Sequence, residues 1–155
     1  MEKEKRIIIY TDGACSGNPG RGGYGVVMLF GAKRKEMSAA FKLTTNNRME
    51  LLAVIEALSI IKHNQFGIDV FTDSKYVCDA IEKGWLQGWV KKGFKGKKNV
   101  DLWKILIPLL KQFNIKFHWV KGHAGHPLNE RCDELAVAAT ESGPWAEDTG
   151  YLAQQ

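Results

Sequence analysis

Two apolar, β-branched runs in this chain end the same way. The run "KRIIIYTDG" stops at Asp12, and "GIDVFTDS" stops at Asp73, about sixty positions later. Each reads as a buried strand. Between them, over 47–62, the apolar spacing turns helical. Leu51, Val54, Ile55, Leu58 and Ile61 form one stripe, and Leu52 and Ile60 widen it. A helix apolar over that much of its circumference is largely buried. If the two strands are parallel neighbours, their terminal carboxylates meet at one edge of a sheet.

The remaining pattern fits the same layers. "GGYGVVMLF" is a second strand after a glycine-rich loop, and a third lies around "EMSAAFKL", giving an antiparallel meander with short connections. Ser74 caps a short helix running through about Ile81. The segment "GWLQGWVKKGFKGKK" holds a short helix and an exposed loop. "NVDLWKILIPLLKQF" is helical, and Pro108 is expected to kink it or end its first half, because it removes a hydrogen bond to the preceding turn. "IKFHWV" alternates as a fifth strand, and Pro127 suits the start of a last helix through about Thr140. The tail over 141–155 has no periodicity and is expected to be loosely held. Three strands, helix, strand, helices, strand, helix predict an α/β fold with a five-stranded mixed sheet flanked by helices. In such sheets ligands bind at the carboxyl ends of the parallel strands.

At 155 residues the chain is expected to form one domain, 1–155. No apolar run approaches a membrane span, and "IIIY" is too short for a signal-peptide core. Cys15, Cys78 and Cys132 are odd in number and form no CxxC pair, which points to a reduced, cytoplasmic protein. The net charge of +5 is concentrated: 83–98 carries six lysines and no acid, leaving the other residues at −1. A local block of this kind suggests a polyanion partner.

The carboxylates carry the chemistry. An aspartate at a strand end is often only a turn former or helix cap, but Asp12 and Asp73 repeat the motif. Glu50, placed in the first turn of the buried helix, either complements the helix dipole or joins them. Asp133, in "NERCDELA", is either a solvated helix residue or a fourth member. Clustered carboxylates raise one another's pKa unless cations neutralise them. Several hard oxygens suit Mg²⁺ or Mn²⁺, and two such ions roughly 4 Å apart can serve both sides of a phosphodiester. His123, on the glycine-hinged loop "VKGHAGHP", suits proton shuttling, whereas His126 reads as an ordinary surface residue. "GACSGNPGRGGYG" lacks the P-loop pattern. Its glycines suit tight turns and close backbone approach beside Asp12, and Asn18, Asn46 and Asn47 could add contacts to a sugar or phosphate. Trp85, Trp89 and Phe94 interleave with Lys91, Lys92, Lys95, Lys97 and Lys98. The tryptophans either pack their helix onto the core or meet nucleic acid, and the lysines suit salt-sensitive phosphate contacts.

Taken together, "TDGACSGNPGRGGYG", "TTNNRMEL", "TDSKYV", "KNVDLW", "WVKGHAGHPLNERCDELA" and "EDTGY", in that order along nearly the whole chain, resemble ribonuclease H of type 1, the bacterial ribonuclease HI type. The resemblance implies a ribonuclease H-like fold and hydrolysis of the RNA strand of an RNA–DNA hybrid, leaving 5′-phosphate and 3′-hydroxyl ends. It implies two Mg²⁺ ions in the substrate complex, with Mn²⁺ an alternative. The metal-binding carboxylates would be Asp12, Glu50, Asp73 and Asp133, and His123 would assist proton transfer or product release. Asn18, Asn46, Asn47 and the backbone at Cys15 would read RNA 2′-hydroxyls. Thr45 and Trp85 would hold the DNA strand, and 83–98 would be a basic protrusion, here with the short loop "KKGFKGKKNV". A monomer is expected. A binding module without cleavage, or an integrase or junction resolvase on the same sheet, would share parts of the pattern. Substrate choice separates them.

Overall fold

The computed structural model describes residues 5–122 and 125–155. In chain order the elements are β1 (Arg6–Ser16), β2 (Gly20–Phe30), β3 (Lys33–Thr44), α1 (Asn46–Ser59), β4 (Gly67–Thr72), α2 (Lys75–Glu82) and α3 (Trp85–Lys91). They continue with α4 (Val100–Gln112), β5 (Ile115–Trp119), α5 (Pro127–Ser142), β6 (Trp145–Ala146) and α6 (Thr149–Ala153). The sheet order is β5-β4-β1-β2-β3-β6. β1, β2 and β3 form the antiparallel meander, and β4 and β5 add to β1 in parallel. The mixed α/β architecture is the expected one, with one strand more: the two-residue β6 pairs in parallel with β3 at Ala40 and Phe41.

Helices cover both sheet faces. α1 packs on β1 and β2 and against α4, while α5 lies across β1, β2 and β3. The main core joins Ile9, Val26, Ile68 and Val70 of the sheet to Leu51, Val54, Leu58, Trp103 and Leu106 of the helices. Trp103 is fully buried, and its indole N–H donates to the Tyr76 hydroxyl at 2.9 Å. No helix among the described residues is long and apolar enough to cross a membrane.

Three local expectations change. α1 starts at Asn46, capped by Thr45, whose hydroxyl accepts from the Arg48 N–H at 3.3 Å. Glu50 therefore lies beyond the first turn and is not a dipole-complementing residue. α4 continues through Pro108. The carbonyl that loses its donor is that of Lys104, and both residues are exposed, so water can replace the missing bond. The tail is held, not loose. Asp148 caps α6 by accepting from the Tyr151 N–H at 3.1 Å, and it also accepts from Thr44 Oγ1 at 2.7 Å. The buried Arg48 guanidinium bridges Asp148 (Nε, 2.8 Å) and Asp101 (Nη2, 2.7 Å). An ion pair between residues 100 positions apart leaves no periodic trace in the tail itself.

Candidate metal centre

The parallel register of β1 and β4 pairs Thr11 with Thr72, both buried. The next residue in each case is an aspartate, so Asp12, within β1, and Asp73, just past the end of β4, emerge side by side at the carboxyl end of β4. Glu50 reaches them from α1 because position 13 is glycine. A Cβ there would come within 2.8 Å of the Glu50 nitrogen and 2.9 Å of the Met49 Cβ. The Gly13 N–H donates to Asp12 Oδ1 at 2.9 Å and to Glu50 Oε1 at 3.1 Å. Carboxylate oxygens of Asp12, Glu50 and Asp73 all lie within 4.8 Å of one another, the one such group among the described residues.

Asp133 arrives from the opposite face of the sheet. Positions 23 and 25 of β2 carry no side chain, and a Cβ on Gly25 would collide with the Cys132 carbonyl. α5 can therefore lie directly on the strand. Asp133 lines the same open cavity of about 370 Å³ as the other three acids, together with Asn46, Asn47 and Lys75.

Asp12 is 5% exposed and Glu50 is 3% exposed. Burial, then the charges of Asp73 and Asp133, push Asp12 up to about 8, against the Gly13 N–H and a hydrogen bond with Glu50. Burial first, and then Asp12 and Asp73, raise Glu50 well above the usual carboxylate range. Glu50 Oε2 is buried with no hydrogen-bond partner. An unsatisfied buried acceptor costs about 1–3 kcal/mol, and three crowded carboxylates add repulsion. A hard divalent cation on these oxygens relieves both, so the donor set fits Mg²⁺ or Mn²⁺.

Compared with known families, residues 4–141 match RNase H. The chain belongs to the RNase H family. A relative from Desulforamulus reducens, a ribonuclease H, is 58% identical over 142 residues, covering 88% of this chain and 89% of its own. LC9-RNase H1, a type 1 RNase H with the type 2 active-site motif, superposes with a TM-score of 0.80 at 30% identity, covering 99% of this chain and 82% of that one. LC11-RNase H1, solved in complex with an RNA/DNA hybrid, gives a TM-score of 0.65 at 28% identity, over 87% of this chain and 96% of that one. The RNase H family consists of metal-dependent endonucleolytic hydrolases, and this chain is an enzyme of that kind.

The other residues singled out in the sequence divide into groups. Asn18, Thr45, Asn47 and Lys98 line a second cavity beside the acidic one. The Asn18 side chain accepts from the Asn46 N–H at 3.0 Å, tying the glycine loop to α1. Cys15 is half-buried, its thiol directed at the carbonyls of Gly20 and Thr44. Trp85 is 47% exposed. Trp89 rests edge-on against Trp103 and carries Lys97 over its outer side at 4.8 Å, so it packs the core and faces a lysine at once. Lys91, Lys92, Lys95, Lys97 and Lys98 are exposed. Phe94 is the correction: it is buried in the core with a left-handed φ of 60°, so its ring is not presented to nucleic acid. His123 lies outside the described residues.

Among the residues of these two cavities that escaped the sequence reading are Lys75 at the acidic one and two at the second. Asn99 and Gln154 line the second cavity, and the Asn99 N–H donates to Gln154 Oε1 at 3.0 Å. The signal for Asn99 was its place in "KNVDLW". Gln154 had none, since only the anchored tail brings it there.

Proposed function

We propose that the enzyme hydrolyses the RNA strand of an RNA–DNA hybrid with two Mg²⁺ ions held by Asp12, Glu50, Asp73 and Asp133. The observation that carries this reading is a cluster of three carboxylates, two of them buried and one with an unsatisfied oxygen, at the carboxyl end of a parallel strand pair. When bound, the ions supply Lewis acidity on both sides of the scissile phosphate. Water adds to phosphorus as the P–O3′ bond breaks, so one product keeps a 5′-phosphate and the other a 3′-hydroxyl. His123 assists by moving a proton or by helping product leave. Gly13 holds Asp12 and Glu50 in place through its single N–H.

Asn18, Asn46, Asn47 and the Cys15 backbone contact the RNA sugars, a role supported for Asn46 and Asn47 by their place beside the acids and for Asn18 by its place in the second cavity. Thr45, Trp85 and the lysines of 83–98 hold the DNA strand, Trp85 by an exposed ring and the lysines by charge. Trp89 supports that segment from beneath. The chain works as one catalytic domain and as a monomer, since all the acids of the site come from one chain. Its three cysteines are free, in keeping with a reducing cytoplasm.

The test is cleavage of an end-labelled RNA–DNA hybrid in Mg²⁺, in Mn²⁺ and in EDTA, with duplex RNA and duplex DNA alongside. The expected outcome is metal-dependent loss of the RNA strand from the hybrid alone. Tight hybrid binding without cutting in either metal would make the chain a binding module. Equal cutting of duplex DNA would move it to the resolvase-like readings. Replacing the five lysines from Lys91 to Lys98 with glutamine should weaken hybrid binding and flatten its salt dependence.

A further inference from the structure

Lys75 is the one cation among the described residues lining the acidic cavity. Its place is locally unfavourable. It is the first residue of α2, whose first turn holds no acid, and a positive charge there opposes the helix dipole. A residue that breaks a local preference beside a functional site invites a functional reason.

The reason is visible in Trp119. This residue closes β5 in register with Thr72, and its indole N–H donates to the Asp73 carbonyl at 3.1 Å. The ring is thereby fixed next to the acidic edge, yet it is 44% exposed and packs no core. Its face carries the Lys75 ammonium, 4.7 Å from the ring centroid. A cation over an indole keeps its charge while losing much of its freedom. Trp119 thus parks Lys75 at the mouth of the cavity.

We infer that Lys75, positioned by Trp119, docks on a phosphate of the nucleic acid backbone beside the scissile one, making these two residues a substrate-positioning pair. The inference rests on the proposed hybrid substrate. Lys75 brings an anionic backbone up to a cluster of like charge, and Trp119 acts through Lys75.

The experiment measures hybrid binding by fluorescence anisotropy across a salt series, in the cleavage-disabled Asp12→Asn background with Mg²⁺ present. Adding Lys75→Gln should weaken binding about fivefold and lower the salt slope by about 1, whereas Lys75→Arg should restore both. Trp119→Phe, which keeps a ring but loses the indole N–H, should retain more of the affinity than Trp119→Leu, which loses both. Unchanged affinity and slope in Lys75→Gln would overturn the inference. So would a Lys75→Gln protein with Asp12 intact that binds Mg²⁺ more tightly by calorimetry while the same substitution in the Asp12→Asn background keeps the parent's salt slope, since Lys75 would then only offset the acids. Binding is read without cleavage. Failure of the enzyme reading shows instead as an uncut hybrid with Asp12 intact.

Discussion

Two charged clusters, each centred on a buried residue of α1, meet at Arg48 and Glu50, two residues apart. At Arg48 the guanidinium donates to Asp148 at 2.8 and 3.0 Å, to Asp101 at 2.8 and 2.7 Å, and to Asn99 at 3.3 Å. Two carboxylates face one cation, and each finds donors. At Glu50 the neighbours are Asp12 and Asp73, and one backbone N–H serves both Asp12 and Glu50. The first cluster gives each of its carboxylates donors from a cation and ties the tail to the body. The second has no cation among its three acids and leaves an unsatisfied buried oxygen at the edge of a cavity. Buried charge alone is therefore no mark of a site. An unmet demand for positive charge is.

The sharpest way to break this contrast is Asp12→Asn. Hybrid cleavage should fall by about a thousandfold, while the metal-free protein melts at a higher temperature than its parent, because repulsion is removed. Mg²⁺ should raise the melting temperature of the parent and do little for the variant. A variant that cuts normally would take Asp12 out of the centre.

Next in size is Arg48→Met. Removing one partner of a buried ion pair costs about 3–5 kcal/mol, read as a lower denaturant midpoint. Here no gain at alkaline pH is expected, and loss of tail protection in hydrogen exchange should accompany it. Stability within error of the parent would mean that the tail is held by α6 and β6 alone.

The smallest effect, and the finest test, is the pH dependence of melting without metal. Asp12 has a folded pKa of about 8 against an ordinary value of about 4. The native state holds that proton more tightly than the unfolded chain does. Its stabilisation is complete below about pH 4 and is lost as pH rises through about 8. Asp148 and Asp101 run the other way. For Asp148 burial alone would raise the pKa, but hydrogen bonds from Arg48 and Thr44 hold it low. For Asp101 the Arg48 hydrogen bonds lead. Their stabilisation is present above about pH 4 and is lost as pH falls. Asp12→Asn should make the alkaline slope shallower, with Glu50 keeping part of it, and Asp148→Asn the acid one, with Asp101 keeping part of it. If both variants keep the parent's profile, the two clusters are not titrating as described.

The legible parts of the molecule were those whose cause is local. Asp12 and Asp73 could be read because the apolar runs before them mark two strands, and the buried stripe of α1 marks itself by period. Yet β1 does not stop at Asp12 but runs on to Ser16 in its pairing with β2. Ser74 and Pro127 sit where capping chemistry puts them. What was hidden depends on partners far along the chain. The anchored tail needs Arg48, and β6 needs the edge of β3. Phe94 among lysines looks the same whether its ring stacks on a base or plugs a core, and only the left-handed turn at that position turns it inward. Lys75 and Trp119 are ordinary surface letters until β4 and β5 are aligned.

The seat of α5 on β2 also limits how this enzyme can be re-engineered. Glycine is a poor strand former, and replacing it with alanine is a standard stabilising substitution where the backbone allows it. At position 25 the new methyl would press on Cys132 and Leu135, and at position 23 on Ala39, Thr140 and Ala136. α5 would ride up on these methyls and carry Asp133 with it. The positions that a thermostability screen would alter first are thus ones at which a hotter-melting protein would risk becoming an idle one.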